Sequence, residues 1–147
     1  INGWAIGLAT SEDGVSWTKY DDPETTDAPF AESDPVFTIA EDEAAWDGQN
    51  VHQPRVRLTD DGFVMLYRAF VGGGHDKSYG LALSDDGIHW ERPYADPIIS
   101  DSAVTRRGMW FSELEYNDGV YYVYLEIQRG YQSQTDIYAG SFEGPLP

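Results

Sequence analysis

The sequence reads as an all-β chain built from repeated antiparallel units. Three features point there: a strand-and-turn composition, an internal repeat, and Asp-Gly turns between β-rich segments. The 147 residues favour one domain and are enough to bury a core. They include 10 Tyr, 6 Phe and 5 Trp alongside 15 Gly and 8 Pro, with hardly any Ala/Leu/Lys/Glu helical stretches. Aromatic residues suit a pleated, half-buried surface, and Gly and Pro punctuate tight turns.

The repeat is explicit. Residues 7–17 read Gly-Leu-Ala-Thr-Ser-Glu-Asp-Gly-Val-Ser-Trp, and residues 80–90 read Gly-Leu-Ala-Leu-Ser-Asp-Asp-Gly-Ile-His-Trp, with Ser84 lying 73 positions after Ser11. Each copy is followed by Asp-Pro and two apolar or aromatic residues, Asp34-Pro35-Val36-Phe37 and Asp96-Pro97-Ile98-Ile99.

The elements follow in order. Residues 4–11 and 15–20 form two strands around the first Ser-Glu-Asp-Gly turn. Residues 21–43, rich in Asp, Glu, Thr and Pro, form an exposed loop holding one short apolar run at 35–39. From Trp46 the chain enters a hairpin, 51–58 turning through Asp61-Gly62 into 63–67, where Asp-Gly supplies the positive φ of a tight turn. Gly72-Gly73-Gly74 is a flexible loop; the Lys and Ser/Thr of a phosphate-binding loop do not follow it. The Gly80 strand and the Trp90 strand complete four. A second hairpin starts at Trp110, with 111–116 turning through Asp118-Gly119 into 120–124, and 136–141 supplies a further strand.

A hairpin followed by two more antiparallel strands is the four-stranded unit of a β-propeller blade. One complete blade spans about 51–92, the last two strands of a preceding blade span about 4–20, and three strands of a following blade span about 110–141. That makes nine strands in a single partial propeller domain. Trp17 and Trp90 read as core pieces wedged between neighbouring blades.

The formal net charge of −17 comes from 26 Asp and Glu against 9 Lys and Arg. Such a surface repels phosphate backbones and anionic bilayers, so neither nucleic acid nor membrane is expected as a partner. There is no cysteine, which removes disulfides, thiolate metal sites and a Cys nucleophile and leaves the compartment open, secretion included. The first residues, Ile1-Asn2-Gly3-Trp4, are neither a start methionine nor a signal peptide, so a fragment or processed product is expected. His75 and His89 do not form a metal-binding pair, and neither a metal nor a cofactor is expected.

The Ser-Xaa-Asp-Gly-Xaa-Xaa-Trp signature after Gly-Leu-Ala, the downstream Asp34-Pro35-Val36-Phe37 and the Trp46-Asp47-led hairpin together resemble the five-bladed propeller superfamily of arabinanases, levansucrases and invertases. The C-terminal Ala139-Gly140-Ser141-Phe142-Glu143-Gly144-Pro145 is similar to the end of a third strand in that group. The Asp-box of sialidase propellers is a weaker likeness, because Ser11-Glu12-Asp13-Gly14 lacks the residue that family places between Asp and Gly. The resemblance covers nearly the whole chain and implies about half of a five-bladed propeller, with a glycan as partner.

It also implies a central funnel in which two carboxyl groups flank a glycosidic bond, one protonating the leaving oxygen and the other attacking the anomeric carbon or activating water. In these families one innermost strand carries an Asp just before a Pro, and the next carries a Glu two residues before a Pro. Here the first strand reads His52-Gln53-Pro54-Arg55-Val56, so Gln53 stands where the Asp would be. On the next, Trp110 takes the place of the Glu and Glu113 lies three positions on. The family's remaining carboxylate would precede residue 1.

Glu113 is therefore the candidate catalytic acid, or else a structural carboxylate paired with Arg55 or Arg57. His52, Gln53, Arg55, Trp110 and Asp47 are the candidate sugar-binding residues, since fixed donors and a ring at a funnel mouth suit hydroxyl groups. Turn capping or ion pairing would account for His52, Gln53 and Arg55 equally well. Two functions follow: a carbohydrate-active propeller that binds or cleaves a glycan, or a non-catalytic binding or self-assembling half-propeller. In the second, open sheet edges could be covered by a symmetric dimer that completes the ring.

Overall fold

A computed structural model describes residues 4–72, 76–100, 108–128, 134–144 and 146. Gly73, Gly74, His75 and Pro145, which entered the sequence reading, lie outside them. The described residues are all-β, with strands in several small antiparallel sheets and no helix among them.

The first unit holds β1 (Ile6–Gly7), β2 (Ala9–Thr10), β3 (Thr18–Lys19) and β4 (Pro35–Phe37), with β1 paired to β4 and β2 to β3. The central sheet runs in the order β5 (Val51–Thr59), β6 (Gly62–Val71), β7 (Asp76–Ser84) and β8 (Ile99–Ser100). The third sheet is β9 (Met109–Asn117), β10 (Val120–Gln128) and β11 (Thr135–Glu143), with β10 in the middle. Both hairpins form, but the first turns through Asp60-Asp61 with Gly62, at φ 108°, already paired to Thr59, whereas the second turns as expected, with Asp118 at φ 49° and Gly119 at φ 81°, the two positive angles a two-residue turn with the right twist requires.

The sequence repeat is a structural repeat. In each copy the Ser hydroxyl and the Asp carboxylate two residues on clamp one turn. Ser11 Oγ accepts from Gly14 N at 2.8 Å, and Asp13 Oδ1 accepts from Val15 N at 2.8 Å and Ser16 N at 2.7 Å. Ser84 Oγ accepts from Gly87 N, and Asp86 Oδ1 from Ile88 N and His89 N, each at 2.8 Å. Those amide donors favour the charged carboxylate and hold Asp13 down to about 2. The glycine closing each turn has positive φ, 74° at Gly14 and 78° at Gly87.

Pairing repeats as well. Thr10 faces Thr18 as Leu83 faces Glu91, and Ile6 faces Phe37 as Tyr79 faces Ile99. The partner of each Gly-Leu-Ala segment thus comes in two pieces, one just after the Trp and one at the Asp-Pro segment.

The central sheet is buried on both faces, because alternate residues of a strand point to opposite sides. Val64 and Leu66 of β6, with Tyr79 and Leu81 of β7, pack against Met109, Leu114, Tyr121, Val123, Leu125 and Ile127 of the third sheet. Met65, Tyr67 and Ala69 of β6, with Val51 and Ala82, pack against Ile6 and Phe37 of the first unit. Trp90 joins this second core, its Nε1 donating to Gly87 O at 3.0 Å. Trp17, expected to be a core wedge like Trp90, is 62% exposed, because no sheet among the described residues covers its side of the first unit.

Candidate functional site

β5 and β9 bring Arg55, Arg57, Glu113 and Glu115 together as a ladder of charges. Arg57 Nη2 donates to Glu113 Oε1 at 2.9 Å and to Glu115 Oε1 at 3.0 Å, and Arg57 Nε donates to Glu115 Oε2 at 3.2 Å. Arg55 Nε lies 3.3 Å from Glu113 Oε2 and donates to the Ser112 carbonyl at 2.8 Å. The Arg57 hydrogen bonds draw the Glu115 carboxyl below its ordinary range and push the guanidinium up. Both oxygens of Glu113 therefore face guanidinium groups, the pairing foreseen as the structural alternative to an acid role.

A second cluster gathers where β5 begins, β6 ends and β9 begins. His52 is opposite Arg68 in the β5–β6 register and Arg68 is opposite Tyr79 in the β6–β7 register. Arg68 Nε donates to His52 Nε2 at 3.2 Å, while Arg68 Nη1 donates to the carbonyls of Met109, at 3.2 Å, and Trp110. Arg68 is 7% exposed, the acceptors of its guanidinium are neutral, and no ion pair joins it to a carboxylate among the described residues. Lys77, also 7% exposed, places Nζ 3.3 Å from the centroid of the Trp110 ring. Trp4 and Phe70 both meet the His52 ring edge-on, with centroids 5.3 Å from it. Trp4 and Trp110 keep 61% and 42% of their surface exposed.

Gln53 sits in the bulge that separates His52 from Arg55 in the ladder, with φ 52°. A non-glycine residue in the left-handed region is uncommon and collects at functional bends. Its side-chain oxygen is buried and accepts no hydrogen bond. The hydroxyls of Tyr79 and Ser112 are also buried, and lie close to each other and to Arg68 without a well-aligned hydrogen bond.

Burial, then the charges of Arg68 and Lys77, lower His52 from 6.5 to about 4. The neutral ring accepts from Arg68 through Nε2, which leaves Nδ1 as the protonated nitrogen. The unfolded chain takes up a proton near pH 6.5 and the folded chain only near pH 4, so this group's stabilising contribution is complete above 6.5 and is lost as pH falls towards 4. A loss on the order of 2 kcal/mol is expected over that interval. Denaturant midpoints measured across it should fall more steeply for the parent than for His52→Gln, which keeps an acceptor without the titration; equal slopes would exclude His52 as the cause.

The structure thus places His52, Gln53 and Trp110 where β5 and β9 begin, with Arg55 and Glu113 further along these strands. Asp47 lies elsewhere: its carboxylate, 2% exposed, is in the core shared with the first unit, where Oδ2 accepts from Tyr67 Oη at 2.8 Å and Arg92 Nε at 2.7 Å. Arg68, Lys77, Trp4 and Phe70 are additions to the site. A cation at 68, in register with the apolar 64 and 66, was the available signal for the first of them. Among the described residues no group of three His, Asp or Glu side chains could hold a metal ion. No protein-family model matches this chain, and no curated protein does.

Proposed function

We propose that this chain is a run of β-propeller blades that binds a glycan where the inner strands β5 and β9 begin. The propeller reading is supported by the two identical Ser-Asp turns, by the repeated strand register, and by a central sheet covered on both faces by its neighbours in sequence. The resemblance to arabinanase-like propellers supports the sugar as ligand, as a fold analogy.

The observation that carries the binding site is the pair of exposed indoles where β5 and β9 begin: Trp4, edge-on to His52, and Trp110, whose carbonyl accepts from Arg68. A sugar offers an indole the apolar face of its ring. Glu113, with both oxygens facing arginines, serves as a strut between β5 and β9 rather than as a proton donor.

A panel of arabinan, fructan, xylan, mannan, pectic and sulfated polysaccharides, scored for retention and for released reducing ends, tests this. Retention of at least one polymer without cleavage is expected, weakened about tenfold in Trp110→Ala. Retention of none would remove the reading. Cleavage that disappears in Glu113→Gln would replace it with a hydrolase in which Glu113 reacts.

A further inference from the structure

We infer that the outer face of the third sheet and the open side of the first unit are the two halves of one interface, and that a second copy of this chain covers them. The inference goes beyond the glycan reading and rests on how the repeat packs. The central sheet gives one face to the unit before it and the opposite face to the unit after it. The hairpin turns set the correspondence between sheets. Gly62 pairs with Thr59 across Asp60-Asp61 as Val120 pairs with Asn117 across Asp118-Gly119. Met65, Tyr67 and Ala69 of β6 therefore correspond to Val123, Leu125 and Ile127 of β10, and both sets pack against the preceding unit. Val64 and Leu66 correspond in the same way to Tyr122 and Tyr124.

The last correspondence is where the two sheets differ. Val64 and Leu66 are 4% and 0% exposed under the third sheet, whereas Tyr122 and Tyr124 are 37% and 40% exposed. Phe111 and Ile137, both largely exposed, share the face of these tyrosines, since each is a cross-strand partner of Glu126. The carboxylates in register there are engaged within the chain: Arg57 donates to Glu113 and Glu115, and Thr135 Oγ1 donates to Glu126 at 2.7 Å. What remains on offer is aromatic and aliphatic. The first unit presents the matching half. Ala82 and Trp90 belong to the core shared with the unit before them, yet Ala9 and Trp17, their counterparts in the repeat, are exposed. One chain thus carries both sides of its own unit-to-unit contact uncovered. In a two-fold pair the Tyr124 face of each copy meets the Trp17 side of the other, and both exposed apolar surfaces are buried at once.

Light scattering on the 147-residue chain, over a range of protein concentrations and at low and high salt, tests this. Twice the mass of one chain is expected. The dissociation constant should fall as salt rises, because screening weakens the repulsion between two copies of net charge −17 and leaves the apolar contact intact. Trp17→Lys and Tyr124→Lys should each weaken association about tenfold or more, and Tyr124→Phe should not. Both lysine variants lower the net negative charge, so added repulsion cannot account for the loss. Both also replace exposed side chains, and circular dichroism verifies the native fold. Mixed in equal amounts, the two lysine variants should pair with each other more tightly than either pairs with itself, since the mixed pair keeps one of its two contacts unaltered. A single-chain mass at every concentration and salt would overturn the inference. So would association that survives both lysine variants, or a mixture that binds no more tightly than its components. A single-chain mass combined with retention of a polysaccharide would remove the pairing and leave the glycan reading standing.

Discussion

Replacing Gly80 by alanine is expected to destabilise the protein by about 2–3 kcal/mol, whereas the same change at Gly7, its counterpart in the repeat, should stay within about 0.5 kcal/mol. A Cβ at Gly80 would lie 2.5 Å from Trp46 Cη2, 2.7 Å from Cζ2 and 3.0 Å from Tyr67 Cζ. Tyr67 is the cross-strand partner of Gly80, and its ring stacks on Trp46 at 5.5 Å, so two aromatic side chains fill the space above the glycine. Neither ring can retreat easily, because Trp46 Nε1 donates to Ala95 O and Tyr67 Oη donates to Asp47. At Gly7 a Cβ meets nothing within 4 Å. Chemical denaturation of the two variants decides the matter, and equal effects would show that the aromatic stack gives way.

Asp47→Ala should cost about 3 kcal/mol. One buried carboxylate oxygen accepts from both Tyr67 and Arg92, and Arg92 Nη2 also donates to Thr38 O at 2.6 Å while its guanidinium lies 4.2 Å from the Phe37 ring. Removing the carboxylate leaves a guanidinium partly buried without its counter-charge and a buried hydroxyl without its acceptor. Burial first, and then the neighbouring carboxylate, already push the Tyr67 phenol well above its ordinary value, so the hydroxyl cannot adjust by ionising. Asp47→Asn, which retains an acceptor, should lose less, and Tyr67→Phe combined with Asp47→Ala should lose less than the two single changes added together. Strict additivity in the thermal or denaturant midpoints would mean that the three groups do not act as one network.

Much of this architecture can be read from the residues, and the parts that cannot share a cause. The hairpins are visible because β-rich runs of nine or ten residues, one continuously apolar over 63–67 and one alternating in Val120–Gln128, flank turns marked by Asp-Gly. The Ser-Asp turns are visible because they recur. The two-piece partners of the Gly-Leu-Ala segments are not, since pieces of two or three residues, such as Thr18–Lys19 and Ile99–Ser100, have no periodicity to detect. Their second halves still leave a trace as the repeated Asp-Pro segments.

The site divides in the same way. Gln53 and Trp110 stand out because the propeller families the sequence resembles hold an Asp and a Glu at those places, and His52 stands out as a polar donor beside Gln53. Arg68 sits between Tyr67 and Ala69 and Lys77 between Asp76 and Ser78, and only the folded chain discloses that both reach the start of β9, Arg68 at its carbonyls and Lys77 at the Trp110 ring. Asp47 looks like a loop carboxylate in the sequence; its burial comes from Tyr67 and Arg92, 20 and 45 residues away.

The double duty of β6 bears on how the molecule comes apart. Its even-numbered Val64 and Leu66 belong to one core and its odd-numbered Met65, Tyr67 and Ala69 to the other, so a displacement of this single strand loosens both. In stacked arrays, neighbouring repeats draw much of their stability from the interfaces they share. The amide protons of β6 should accordingly belong to the slowest-exchanging class, exposed only when the flanking units let go together, and melting should be cooperative across the first unit and the two larger sheets.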